Sequence, residues 1–235
     1  MPLQVVMLGA SGAVGRQVID SLCNKSDLAT LTLLNRRPLP HENGAATEQH
    51  IVDVLNPQTY KHLLGAHQAA VCTLGVGQPS AVSDAEFVRV DKDAVIDFAR
   101  ACKEAGVAHF ELLSSVGADA RSRSLYLRTK GELCDAVVAL GFQRLSLFQP
   151  SMILTPTNRY GVVQGLALAL WPKLDKVLRG SWRKYRGVAV ETLGAAMAAN
   201  LHTHASGVEW LTWTDFHALA ARDDANVVSS GALAN

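Results

Sequence analysis

The chain lacks an excess of charge of either sign: 22 Lys and Arg stand against 21 Asp and Glu, a formal net charge of +1. Without such a field nothing recruits nucleic acid or an acidic membrane from a distance, and a small-molecule partner is expected instead. Cysteine is scarce and scattered. Cys23, Cys72, Cys102 and Cys134 form no CxxC pair and no zinc-like cluster. That argues against a structural metal and a disulfide framework and fits a reducing, cytoplasmic setting; no metal site is expected. The N-terminus lacks a basic stretch and a cleavage-like site. Met1-Pro2 runs directly into Leu3-Gln4-Val5-Val6-Met7-Leu8, which reads as a first strand and not as a signal peptide. Long apolar runs are missing too. The stretch Gly161–Trp171 is interrupted by Gln164 and falls short of the roughly 20 residues a membrane span needs, so a buried helix is expected there. Internal repeats and low-complexity tracts are also absent.

What is present is a hydrophobic chain, 49% apolar over 235 residues, enough for one substantial core. A single domain over 1–235 is expected. Short β-rich runs alternate with longer helical patterns up to about Gln149, the mark of βαβ units and a doubly wound parallel α/β sheet. Strands are predicted at Leu3–Leu8, Leu31–Leu34, Gln49–Val52, Ala69–Thr73, His109–Leu113 and Arg144–Phe148. Between Asp84 and Ala105 the residues Phe87, Val90, Ala94, Phe98 and Ala101 recur at helical spacing before Gly106, predicting one long helix. A second helix is predicted from Ser124 to Leu140, with Leu133, Val137 and Leu140 on one face and Gly141 just past its end. After Pro150 the pattern loosens: a short strand at Val188-Ala189-Val190, a helix near Thr192–His202 and a strand at Val208–Leu211. Elements within 151–215 are expected to roof a substrate cleft, and the tail from Asp223 to fray.

The chemistry begins with Gly9-Ala10-Ser11-Gly12-Ala13-Val14-Gly15, which follows the first strand directly and opens a helix. Glycines in that context allow a tight turn and close backbone approach, so a diphosphate can rest on free N–H groups at the positive end of the helix. Ser11 adds a hydroxyl donor. About 20 positions on, where NAD-selective sites carry an acid for the ribose 2′-OH, this chain has Asn35-Arg36-Arg37. Two guanidinium groups and no carboxylate suit a 2′-phosphate, so NADP(H) is the expected cofactor. Asp53 and Val54 follow the third strand and are candidates for the adenine edge, though an Asp at that place equally caps a turn. Thr73, Leu74 and Gly75 follow the fourth strand, on the ribose or nicotinamide side.

Tyr126 and Lys130 stand four residues apart on one helix face, and Ser114-Ser115 ends the fifth strand on the same rim. Hydride exchange at a carbonyl or alcohol needs one group to move the oxygen's proton and another to polarise the oxygen. A tyrosine and a serine suit those roles. Because a free phenol titrates near 10, a neighbouring ammonium is needed to support its phenolate. Lys130 supplies that charge and reaches the nicotinamide ribose.

The ordered set Gly9-x-x-Gly12-x-x-Gly15, Asn35-Arg36-Arg37, Cys72-Thr73-Leu74-Gly75, Phe87-Val88-Arg89-Val90-Asp91, Leu112 to Asp119 and Leu125 to Glu132 resembles the atypical short-chain dehydrogenases. It is similar in particular to the Tat-interactive-protein-like oxidoreductases. The likeness spans nearly the whole chain and is most specific from Phe110 to Glu132. It implies a Rossmann fold, NADPH binding, and Tyr126 and Lys130 as the active pair, and it favours Ser115 over Ser114. Pro150, Ser151, Met152 and Ile153 resemble the segment that lines the nicotinamide in that superfamily. Gln149 stands where its members commonly carry Arg, which leaves an Arg-mediated contact without its residue.

Three further signals point to bland roles. The basic-aromatic stretch Arg179 to Arg186 reads as a solvated loop, His202-x-His204 as a helix end, and Arg89 and Asp91 equally as solvated helix residues or neighbours of the site. The expected function is NADP(H)-dependent hydride transfer to or from a carbonyl, alcohol or quinone-like small molecule. The alternative is an NADP(H)-sensing regulatory or protein-interaction module. A nucleotide-sugar epimerase or dehydratase is disfavoured, because the region after Pro150 is short for such a substrate. A homo-oligomer or a regulatory protein partner stays open.

Overall fold

The computed structural model describes residues 2–40, 46–155 and 178–231, with side chains described as far as Arg222. Its main sheet is parallel throughout and has seven strands in the order β3-β2-β1-β4-β5-β6-β9. The strands are β1 (Leu3–Leu8), β2 (Leu28–Asn35), β3 (Thr47–Ile51), β4 (Ala69–Cys72), β5 (His109–Leu113), β6 (Arg144–Phe148) and β9 (Gly207–Leu211). A separate parallel pair joins β7 (Met152–Leu154) to β8 (Gly187–Ala189). Among the described residues the α-helices are α1 (Ala13–Cys23), α2 (Asp84–Val88), α3 (Ala94–Glu104), α4 (Leu125–Ala139), α5 (Val190–Asn200) and α6 (Trp213–Gly231). Among the described residues no helix is long and apolar enough to cross a membrane.

This is the doubly wound Rossmann arrangement, and β1 shows why the sequence adopts it. Val5, Val6, Met7 and Leu8 are all fully buried, because a central parallel strand is covered on both faces and needs a continuous apolar run. Val6 and Leu8 join a core with Phe98, Phe110, Leu133 and Val137, under α3 and α4. Val5 and Met7 join the opposite core with Val18, Leu22, Leu193, Met197 and Phe216, under α1, α5 and α6. The strand order reverses between β1 and β4, so the crevice at their carboxyl ends is where such a sheet takes a ligand.

The strands β1, β5 and β6 fall where the pattern places them. β2 starts three residues earlier and β3 sits two residues upstream, because β3 is an edge strand of half-exposed polar residues with little apolar signal. The long helix is interrupted: a π-helical turn at Arg89–Asp93 separates α2 from α3. The tail departs from the frayed expectation, since α6 continues to Gly231. The expected helix at Gly161–Trp171 lies outside the described residues.

The amino edge of the sheet holds a buried polar network. Arg144 donates through Nε to Glu209 Oε1 (2.7 Å), through Nη1 to the Asn200 and Thr203 carbonyls (3.1 and 2.7 Å), and through Nη2 to Asn200 Oδ1 and Thr203 Oγ1 (2.8 and 2.7 Å). Asn200 Nδ2 in turn donates to Glu111 Oε1 and Ser146 Oγ. Since the Ser146 hydroxyl donates to Glu209 (2.6 Å), the 2.8 Å contact from His109 Nε2 requires that nitrogen to carry the proton. Burial, and then Arg144, push the His109 imidazole down to about 3, while burial pushes the Glu111 carboxyl well above the usual range. Among the described residues Glu111 Oε2 has no hydrogen-bond partner, which suits a neutral carboxyl better than a carboxylate.

Candidate functional site

The turn after β1 is built around the Gly9 carbonyl. Gly9 has φ +97°, a left-handed conformation, and an added Cβ would lie 2.5 Å from Leu74 N. Its carbonyl accepts from Gly12 N (3.0 Å) and from the Thr73 hydroxyl (3.0 Å), so the turn and the end of β4 share one oxygen. A Cβ on Gly15 would meet that same oxygen at 2.3 Å, which is why α1 can begin so close to the strand. Gly12 is the N-cap of α1 and brings no side chain to cap it, so the first-turn amides are left as a ready anion site.

A cavity of about 300 Å³ opens over this turn at the β1/β4 switch point. Gly9, Ser11, Gly12 and Ala13 line one wall, Arg36 and Val54 another, and Thr73, Leu74 and Gly75 a third. The uncapped amides, the glycine clearance and the exposed guanidinium of Arg36 together fit a dinucleotide with its diphosphate on α1. The other candidate positions are not part of this cavity's lining. Val14 and Gly15 are buried beneath the turn, and Arg37 is exposed beside Arg36. Asp53 is exposed, and its Oδ1 accepts from Leu55 N (3.0 Å), the turn-capping role.

The second half of the site lies along the same edge. Tyr126 opens α4 and is 36% exposed, its ring stacked on the buried Phe87 at 5.9 Å. Lys130, one turn on, is buried, and its Nζ lies 2.9 Å from Asp91 Oδ1. Burial works against the ammonium, but Asp91 first and then Tyr126 outweigh it and hold Lys130 above its ordinary value. The other Asp91 oxygen accepts from Val76 N (2.8 Å), in the loop that lines the cavity. Ser114 and Ser115 have different partners: Ser114 Oγ is 3.1 Å from Cys134 Sγ, whereas Ser115 Oγ donates to the Val116 carbonyl at 3.3 Å. The Pro150 carbonyl accepts from Val116 N (3.0 Å), bringing Pro150 beside the serine strand, and Ser151, half-buried, leads into β7 with Met152 and Ile153.

Asp91 is the residue the sequence left undecided between surface and site. It is 4% exposed, because the π-helical turn turns it inward. His202 pairs with Asp27 (2.9 Å), and no group of side chains that could hold a metal occurs among the described residues. The turn Gly180–Tyr185 is solvent-facing, with Trp182 63% exposed, and Arg186 stacks its guanidinium on Trp213 at 4.9 Å.

A family described as NAD(P)H-binding matches residues 9–139, from the glycine turn through α4. Protein HTATIP2 of Rattus norvegicus is 36% identical over 205 residues, covering 86% of this chain and 83% of that protein. Protein FMP52, mitochondrial, of Lodderomyces elongisporus is 30% identical over 190 residues, covering 77% and 79%. Among solved structures, MoeE5 in complex with UDP-glucose and NAD superposes with a TM-score of 0.67 at 17% identity, over 89% of this chain and 76% of that one. A short-chain dehydrogenase/reductase superfamily protein from Agrobacterium tumefaciens with bound NAD gives 0.67 at 15% identity, over 93% and 81%. The chain belongs to the NAD(P)H-binding family and, within the Rossmann superfamily, to the atypical short-chain dehydrogenase/reductases.

Proposed function

We propose that the protein is an NADP(H)-dependent oxidoreductase that moves a hydride to or from a carbonyl or alcohol, or a quinone-like small molecule. The observation that carries this reading is the pairing, along one sheet edge, of an anion-ready glycine turn with a half-exposed tyrosine one helical turn from a buried ammonium. When bound, the nicotinamide supplies the hydride donor or acceptor. The amides at Gly12 to Gly15 hold its diphosphate, and Arg36 and Arg37 hold the 2′-phosphate. Val54 packs on the adenine side, with Asp53 at its edge; Thr73, Leu74 and Gly75 border the ribose; Pro150 to Ile153 back the nicotinamide. The Tyr126 phenol exchanges a proton with the substrate oxygen, the Ser115 hydroxyl polarises that oxygen, and Lys130 supports the phenolate and the ribose hydroxyls.

The chain acts as one domain over 1–235, with the substrate cleft formed mainly within 151–215, of which 156–177 lie outside the described residues. Its four cysteines are all free, which supports a cytoplasmic setting, although one relative's name places that relative in mitochondria.

The test is turnover of an aldehyde, ketone and quinone panel with NADPH by wild type and by Tyr126→Phe. We expect wild type to oxidise NADPH on at least one class, and the variant to lose about a hundredfold or more in kcat with cofactor affinity unchanged. A second reading, an NADP(H)-sensing regulatory module, draws on the 2.9 Å ion pair, since a lysine neutralised by a carboxylate is also what a purely structural role would show. NADPH bound by both proteins and oxidised by neither selects it. Cofactor choice is checked separately: Arg36→Ala and Arg37→Ala should each weaken NADPH by about tenfold relative to NADH, the loss of a charged hydrogen bond. An unchanged preference in both removes the arginines from the argument.

A further inference from the structure

The carboxylate of Asp91 bridges two parts of the site, helix α4 and the loop that follows β4. Its Oδ1 meets the Lys130 ammonium at 2.9 Å, and its Oδ2 accepts the Val76 amide at 2.8 Å. Both side chains of the ion pair are nearly closed to solvent, 7% exposed for Lys130 and 5% for Asp91. The next residue repeats the connection in the opposite sense: Lys92 Nζ lies 2.9 Å from Glu132 Oε2 on α4. Two successive ion pairs of reversed polarity thus seat the π-helical turn on the helix that carries Tyr126 and Lys130. From the loop side, Gly75 leaves room for this arrangement, because a Cβ there would stand 2.9 Å from Asp91 Oδ1.

We propose that Asp91 is a positioning residue: one oxygen keeps the Lys130 ammonium aimed and charged, and the other fixes the cofactor loop at Val76, so that loop and ammonium are held as one unit. The role in turnover rests on the oxidoreductase reading above; the hold on Lys130 does not. The physical need is plain. A lysine this deeply buried is driven towards its neutral form, and a neutral amine gives a phenolate no support. The other groups facing Lys130 do not replace Asp91. They are Tyr126 on its own helix, the Cys134 thiol on that helix and the Cys72 thiol of β4, and burial holds both thiols above their usual range and so uncharged.

The experiment follows Lys130 itself, independent of turnover. Lysine is labelled with ¹³C at Cε, the Lys130 signal is assigned by its loss in Lys130→Arg, and its titration midpoint is measured in wild type, Asp91→Asn, Asp91→Glu and Gly75→Ala. Asn keeps an acceptor for the Val76 amide and removes only the charge. Gly75→Ala keeps every charge and displaces the carboxylate from the loop side, at a backbone outside the left-handed region.

We expect the Lys130 midpoint to fall by at least one unit, a tenfold weaker hold on its proton, in Asp91→Asn. A smaller fall is expected in Gly75→Ala, with recovery in Asp91→Glu. Where a substrate is turned over, the alkaline limb of kcat should move with it. A Lys130 midpoint that stays in place in folded Asp91→Asn overturns the proposal, even if melting temperature drops, because a merely structural carboxylate would do only the latter. If Asp91→Asn does not fold, Gly75→Ala decides in the same way. A shifted midpoint in a protein that oxidises NADPH on no substrate upholds the hold on Lys130 and sinks the oxidoreductase reading instead.

Discussion

At the carboxyl edge of the sheet the polar groups face a cavity, whereas at the amino edge they face one another. The difference is not one of space. The amino edge has a hollow of about 490 Å³ bordered by His109, Arg144, Thr203 and His204, larger than the roughly 300 Å³ over the glycine turn. What separates them is the state of the donors. Each N–H direction of the Arg144 guanidinium already meets an acceptor within the protein. At the other edge, α1 starts without a side-chain cap and Arg36 stands exposed beside the cavity. A candidate ligand site is therefore recognised by hydrogen-bonding capacity left open, and volume alone misdirects.

The strongest way to break this comparison is to open the closed edge. Arg144→Met should destabilise the fold by roughly 3–5 kcal/mol, because it strips the partner from Glu209 and from the Asn200 and Thr203 carbonyls. Urea unfolding measures the loss, and NADPH affinity of the folded protein should stay within about twofold of wild type. A variant that unfolded normally yet lost cofactor would show that the two edges are not separate.

The pH dependence of stability sharpens the same contrast. The His109 value is depressed in the fold, so its contribution is present above about 6.5 and lost as pH falls through about 3. The Glu111 value is raised, so its contribution is full below its ordinary 4.5 and declines as pH climbs towards the folded value. Between 4.5 and 6.5 the two slopes oppose each other, and stability should be level. From pH 4.5 down to 3 it should fall by about 2 kcal/mol. Glu111→Gln, a neutral isostere, should abolish the decline above pH 6.5 while leaving the acid limb, as read by denaturant titrations across that range. A wild-type curve rising steadily past pH 6.5 would contradict a neutral Glu111.

At the open edge the expected stability effect is smaller and the binding effect larger. Gly15→Ala puts a methyl group against the Gly9 carbonyl and should cost about 1–2 kcal/mol in stability. Isothermal titration should show NADPH affinity reduced by more than that stability loss alone accounts for, since the turn itself must shift.

The readable parts of the molecule were those where one residue type answers one local need. The apolar run of β1 and the glycines after it placed the sheet centre and the dinucleotide turn without any tertiary knowledge. The place of Arg36 beside the cavity was legible because it follows β2 at a fixed distance from that turn. Asp91 was harder, since its partner Lys130 lies far along the chain and α2 and α3 read as one unbroken helical pattern. The π-helical turn between them decides which of Arg89 and Asp91 faces inward, and it leaves no mark in an apolar periodicity. The amino-edge network was hidden for a different reason. His109, Glu111, Arg144 and Ser146 sit inside strands that read as apolar overall, and only the register of β5 beside β6 brings their side chains together.

The Gly9 carbonyl serves three neighbours at once: the Gly12 amide, the Thr73 hydroxyl, and the backbone path of α1 that passes too close for a side chain at position 15. Injuries to such a junction overlap instead of adding. Once any one of them displaces the oxygen, the others have little left to disturb, so Gly15→Ala combined with Thr73→Val should cost clearly less than the sum of the two alone.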